Sequence, residues 1–153
     1  MGTIELNATQ RGRAKQLKNR LNAGKVRKPQ DINRVRPWGS TSLRAMNEKR
    51  EYDVFEPENT QNKTGWVNPD NIAGVCGSPN PNKHSPQKER LEKKRLHRIL
   101  DQLLEDKFDV KYSEPPQYLE FDGKYYVGAD GTHRSIACKA VNVDQIWADI
   151  TVV

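Results

Sequence analysis

Cysteine is scarce in this chain of 153 residues. Cys76 and Cys138 are too few for a disulfide scaffold and lack the spacing of metal ligands. Long apolar runs are missing, so no segment approaches the ~18 residues that a membrane-spanning helix needs. The opening stretch Met1-Gly2-Thr3-Ile4-Glu5 contains no signal-peptide apolar region. These shortages exclude a membrane protein, a zinc finger and a secreted mini-protein, and they set a reducing cytoplasm as the expected location. Core-forming side chains are also thin: Leu, Ile, Val and Phe number 31, at the ~20% edge of what packing requires. Thirteen fall in residues 1–85 and eighteen in residues 86–153. The second half is expected to build a core, and the first half not to build one alone.

Charge is equally lopsided. The net charge is +6, yet residues 1–37 carry ten basic side chains against Glu5 and Asp31, a local excess of +8. Residues 38–85 and 86–153 each come to −1. The first 37 residues therefore read as a basic N-terminal arm. Within it, Ala14, Leu17 and Leu21 recur at helical spacing, and Gly24 is placed to end a helix over residues 8–23. Arg11, Arg13, Lys15, Lys18 and Arg20 decorate its other faces, and Lys25, Arg27 and Lys28 follow in an extended, proline-punctuated stretch. Such an arm neutralises nucleic-acid phosphates in a salt-dependent, sequence-tolerant way. It has no aromatic side chain before Trp38, which argues against stacking on single-stranded bases. The plainer alternative is a solubilising or protein-binding tail.

Residues 38–85 are polar and interrupted by Pro57, Pro69, Pro79 and Pro81. One short strand is expected at Gly65-Trp66-Val67 and a turn at residues 68–71. Gly74 to Asn82 is expected to be a long irregular loop. From Ser85, an N-cap with Pro86 behind it, a helix is predicted to run to about Asp106 on a stripe of Leu91, Leu96, Ile99, Leu100, Leu103 and Leu104. Asp122-Gly123 between two aromatic-rich runs predicts a hairpin, because a type I′ turn needs φ > 0 at both positions. A helix over residues 132–141 and a strand over residues 146–153 follow. Trp38, Trp66 and Trp147 are expected to be packing residues. His84 and His97 do not suggest ligands.

The segment Val127-Gly128-Ala129-Asp130-Gly131-Thr132-His133-Arg134-Ser135 joins a strand directly to a helix. A glycine turn there aims backbone N–H groups and the positive end of a helix dipole at one point, which suits an anion. Gly131, Thr132, His133, Arg134 and Ser135 are the candidate phosphate ligands, with Arg134 an exposed guanidinium able to clamp two oxygens. Asp130 is a candidate magnesium ligand or catalytic base, and His133 a second candidate catalytic group. The alternative is that Asp130 caps the helix and Arg134 is a solvated charge.

The longer run Tyr125 to Ala137, with Gly131, Arg134 and Ala137 in the pattern Gly-x-x-Arg-x-x-Ala, resembles the signature of the ParB/sulfiredoxin superfamily. The closing stretch Ile146 to Val153 is similar to that superfamily's final strand. The resemblance implies an α+β domain over residues 65–153, a short mixed sheet flanked by helices. It would be preceded by the basic arm at 1–37 and a polar linker or peripheral segment at 38–64. It also implies a nucleotide (ATP or CTP) bound by its phosphates at the loop, with Mg2+ on Asp130. Thr132 stands where sulfiredoxins carry their nucleophilic cysteine, so sulfinic-acid reduction is not expected, and Cys138 reads as a buried small residue. No helix-turn-helix follows before Val153, which sets an expectation against partition-site reading of the ParB type. Free serine kinases of the superfamily share the Asp-Gly-x-His-Arg form; Glu56, Glu58 and Asp70 are candidates for their further carboxylate. Phosphotransferase, NTPase and nuclease chemistry linked to DNA metabolism all stay open. So does a non-catalytic regulator that binds nucleic acid or protein, such as a phage or mobile-element accessory protein.

Overall fold

Capping residues and apolar spacing set the helices. The computed structural model describes residues 3–77, 90–128 and 130–153. Helix α1 (Ala8–Asn22) opens on a capping box, in which Asn7 Oδ1 accepts from the Gln10 N–H at 2.8 Å and Gln10 Oε1 accepts from the Asn7 N–H at 2.9 Å. It closes at Gly24, whose φ is 70°. Strand β1 (Gly39–Ser42) leads into helix α2 (Leu43–Arg50), capped by the Ser42 hydroxyl. Strands β2 (Gln61–Val67) and β3 (Ile72–Gly77) follow, then helix α3 (Lys93–Leu104). The hairpin β4 (Gln117–Phe121) and β5 (Lys124–Val127), helix α4 (Thr132–Val141) and strand β6 (Ile146–Val152) complete the order. The hairpin turn has φ of 53° at Asp122 and 77° at Gly123, as a type I′ turn demands.

The six strands form one mixed sheet in the order β1-β3-β5-β4-β6-β2. Pairs β1–β3, β3–β5 and β4–β6 are parallel; β4–β5 and β2–β6 are antiparallel. Alternation along β6 buries Ile146, Ala148 and Ile150 in the main core, beneath α1, α3 and α4. A smaller cluster of Met46, Val54, Cys76 and Phe121 joins α2 to the sheet. The architecture is α+β, a mixed sheet flanked by helices.

Several expectations change. The basic N-terminal segment is not an arm standing off the body: Ala14, Leu17 and Leu21 are buried, and Leu6, Val26 and Ile32 join them in the main core. Its apolar side chains are few, but they supply one side of a shared core and need not form their own. Residues 38–64 are no linker, because they carry β1, α2 and most of β2. Gly74 to Gly77 belong to β3, between two parallel neighbours. A side chain at Gly74 would place its Cβ 1.7 Å from the Gly39 carbonyl oxygen, so the close pairing of β1 with β3 requires glycine. The rest of that expected loop, and Ser85 and Pro86, lie outside the described residues. Helix α3 begins at Lys93, leaving Leu91 buried but outside it. No helix among the described residues is long and apolar enough to cross a membrane.

Leu17 is the sharpest test of the N-terminal packing. Leu17→Ala should lower stability by about 2–5 kcal/mol, as for a fully buried leucine, read by urea denaturation followed by circular dichroism. An unchanged midpoint would mean that α1 is a dispensable appendage.

Candidate functional site

The loop between β5 and α4 is held by the start of β4. The Gly128 N–H donates to the Gln117 carbonyl at 2.9 Å, and the Gln117 N–H donates to the Asp130 carbonyl at 3.0 Å. Gly131 then turns the chain into α4 with φ 105° and ψ 14°. A Cβ on Gly131 would lie 2.4 Å from Pro116 Cβ and 2.8 Å from Pro116 Cα, so this approach also requires glycine. The first-turn N–H groups of α4 have no acceptor inside their own helix.

The structure brings Asp130, Thr132, His133 and Arg134 to this helix start, with unequal freedom. Asp130 is half-exposed and its carboxylate lies 3.9 Å from the Arg134 guanidinium. Arg134 is not the exposed clamp expected: its side chain is 12% exposed, it donates to the Glu114 carbonyl at 2.7 Å, and it lies over the Tyr112 ring at 5.0 Å. Ser135 is fully buried. Its hydroxyl donates to the Gly131 carbonyl at 2.6 Å, so its contact with the Tyr118 hydroxyl at 2.7 Å must be accepted from Tyr118. That serine locks the turn and offers nothing to a ligand. His133 Nε2 accepts from the Glu92 N–H at 3.0 Å, which makes it the cap of α3 as well as a residue of the loop.

That bond brings two helix N-termini together, those of α3 and α4. Beside this contact a cleft of about 300 Å³ runs along α3, with Arg95, Arg98, Ile99 and Gln102 on one wall and Tyr112, Ser113, Glu114, Asp130 and Arg134 on the other. Arg95 and Arg98, exposed and one turn apart on α3, are the site residues that sequence reasoning missed. The available signal was the first turn of α3, which carries Lys93, Lys94 and Arg95 and no acidic residue. Cations at that end oppose the helix dipole, each by about 0.3–1 kcal/mol. Fold stability therefore does not account for them.

The other candidates divide. Arg11 donates from Nη2 to both carboxylate oxygens of Asp106 at 2.8 and 2.9 Å and from Nη1 to the Leu104 carbonyl at 2.7 Å. Lys18 pairs with Asp101 at 2.5 Å. With its amide turned to donate to Asp70, Asn142 accepts from Arg13 at 3.2 Å. Lys15, Lys25, Arg27 and Lys28 are exposed, and Arg20 is half-buried. The walls of the cleft include none of Glu56, Glu58 and Asp70. Asp70 pairs with Arg36 beside Asn142, which caps the far end of α4, about 15 Å away along the axis. Cys138 is buried as expected, and burial pushes its thiol up to about 12 and that of Cys76 to about 11, so neither supplies a thiolate at neutral pH. Trp38 is buried, whereas Trp66 is 43% exposed and makes an edge-on pair with Trp147 at 5.1 Å.

Comparison with family models, with curated proteins and with solved structures finds no match to this chain.

The turn at Gly131 makes a structural prediction. Gly131→Ala should cost about 2–4 kcal/mol, combining overpacking against Pro116 (~1–3) with a left-handed backbone (~1–2). Thermal unfolding measures it; a shift of under about 0.5 kcal/mol, the ordinary range of a surface change, would mean that the turn tolerates a side chain.

Proposed function

We propose that the protein binds a nucleotide through its phosphates at the junction of α3 and α4. The observation that carries this reading is the gathering of Arg95, Arg98 and Arg134 on one cleft beside the start of α4. Three guanidinium ions in one concavity favour a multiply charged anion over a neutral ligand. At about 300 Å³ the cleft is at the small end of ligand sites, sized for phosphates with the base and sugar outside. The Gly-x-x-Arg-x-x-Ala turn and the closing β6 support a ParB/sulfiredoxin-like domain, in which ATP or CTP is the ligand to test first. Double substitution of Arg95 and Arg98 by alanine should weaken Mg-nucleotide binding by at least about tenfold, or ~1.4 kcal/mol. Both residues are exposed, so the fold should persist. Titration calorimetry with ATP and CTP reads this, and equal affinity in both proteins would sink the site.

Magnesium fits only in company with the phosphates. Among the described residues no three metal-binding side chains come together, and Mg2+ commonly takes one or two carboxylates plus phosphate oxygens. Asp130 is the loop carboxylate placed for this, with Glu114 on the same rim. When bound, the ion would screen the phosphate charge; Arg95, Arg98 and Arg134 would orient the phosphates, and Asp130 would position an attacking hydroxyl or water. Transfer or hydrolysis of a terminal phosphoryl group is the chemistry this arrangement would serve. Asp130→Asn should leave nucleotide affinity within about threefold while lowering magnesium-dependent turnover by ~10²-fold or more, the scale of a lost acid–base group. Equal phosphate release would favour the second reading, a nucleotide-responsive regulator without catalysis. The commitment of His133, Arg134 and Ser135 to internal contacts is the observation in favour of that reading.

A further inference from the structure

The cleft is one end of a larger cationic surface. The Leu91 N–H donates to the Arg27 carbonyl at 2.8 Å, so the strap of residues 25–28 runs beside the entry to α3. Lys25, Arg27 and Lys28 on the strap and Lys93, Lys94 and Arg98 on α3 are all exposed. A groove of about 670 Å³ lies along this face, with Asn22 of α1 on one side and Lys93, Lys94, His97 and Arg98 on the other. Its far end is acidic, at Asp101 and Glu105, so the positive charge is confined to the half at Lys93, Lys94 and Arg98, the last of which also lines the cleft. Two carboxylates lie within the basic region: Asp31, whose Oδ2 is taken up by the N–H groups of Arg27 and Lys28 at 2.8 and 3.0 Å, and the exposed Glu92.

We propose that this face, made by residues 25–28 and the first half of α3, binds the phosphate backbone of a nucleic-acid duplex. The cleft at Arg95 and Arg98 would receive one backbone phosphate at its end. The proposal takes from the preceding reading only that the cleft accepts phosphate. It moves the nucleic-acid contact away from the solvent face of α1, since Arg11 and Lys18 are spent on Asp106 and Asp101. A duplex is favoured over a single strand because the groove has no Phe, Tyr or Trp in its walls on which an unpaired base would stack. Exposed cations along a groove suit a backbone that is read by charge and shape.

Fluorescence anisotropy of a labelled duplex of about 20 base pairs tests this with the full chain, titrating salt from about 50 to 200 mM. A triple variant, Lys28→Ala, Lys93→Ala and Lys94→Ala, removes three cations of the face and none that lines the cleft. A charge-matched control, Arg44→Ala, Lys107→Ala and Lys124→Ala, removes three exposed cations elsewhere. The face variant should bind at least about tenfold more weakly, and its log–log salt slope should fall by roughly 2–3, one unit for each lost contact. The control should keep the slope of the parent, and the parent should prefer the duplex to a single strand of the same length. Equal losses in both triples, no duplex binding by the parent at low salt, or equal binding of single strand and duplex would overturn the proposal. Inorganic triphosphate, titrated by calorimetry into parent and face variant, separates the two readings. Triphosphate binding with no duplex binding rejects this face and leaves the cleft standing. Duplex binding lost in the face variant, with no triphosphate binding by either protein, rejects the nucleotide reading and keeps the face.

Discussion

Helix α4 has almost no side open to water, and the rest of the protein is arranged around that constraint. From Ser135 to Val141 every residue is buried, including Lys139, whose ammonium donates to the Ile72 carbonyl and is held below its usual range by desolvation. A helix of only ten residues can be enclosed in this way if several elements each cover one part of it. Helices α1 and α3, strand β3 and the short 3-10 helices at residues 29–34 and 69–71 do so. Removing any one of them exposes apolar surface on the others, so a chain with few large aliphatic residues still gains a cooperative core. The sparse N-terminal third is therefore structural in spite of its charge. A buried helix leaves only its ends for chemistry. The Asn142 end is tied to Gln10 and Arg13 by hydrogen bonds, and the Gly131 end faces the cleft.

What the sequence made legible follows from how local each signal was. The Asp122-Gly123 turn, the helix over residues 132–141, the final strand and the first helix with its terminal glycine all rest on neighbours in sequence. Each lies where local reasoning put it, to within a residue. What was missed depends on partners far away. Gly74-Val75-Cys76-Gly77 looks like loop because its small residues and glycines carry no alternation. Enclosure between β1 and β5 makes it a strand. The exposure expected of Arg134 failed for the same reason. Nothing in Gly-Thr-His-Arg announces that Tyr112 and the Glu114 carbonyl, some twenty residues earlier, will take up the guanidinium. Nothing local singles out Arg95 and Arg98, since only packing shows what a helix points towards.

The N-terminal charge shows the same dependence. Ten basic residues in the first 37 suggest a freely available polycation, but the fold spends several on carboxylates at the second half of α3 and near the end of α4. Pairs of this kind, with side chains a quarter to a half exposed, contribute little individually, yet they orient α1 across α3 and so set which cations stay free. The free ones gather where the strap of residues 25–28 meets α3. Net charge was a correct sum and a poor map.

The position of β6 has a consequence for how the chain reaches this state. β6 lies inside the sheet, between β4 and β2, and among the described residues β2 is an edge strand paired with β6 alone. β2 must therefore wait for a partner on the order of 80 residues further along, and closing a loop of that length is an entropic cost met before any pairing rewards it. During synthesis the α2–β2 region would leave the ribosome with its exposed Trp66 and an unpaired edge, while the hairpin and α4 were still to come. Lys63 and the polar run Gln61-Asn62-Lys63-Thr64 lie on that edge, as a charge that discourages intermolecular pairing should. The polar character of the middle of the chain, which on composition alone looks like a linker, thus serves a strand that must stay soluble until its neighbour exists.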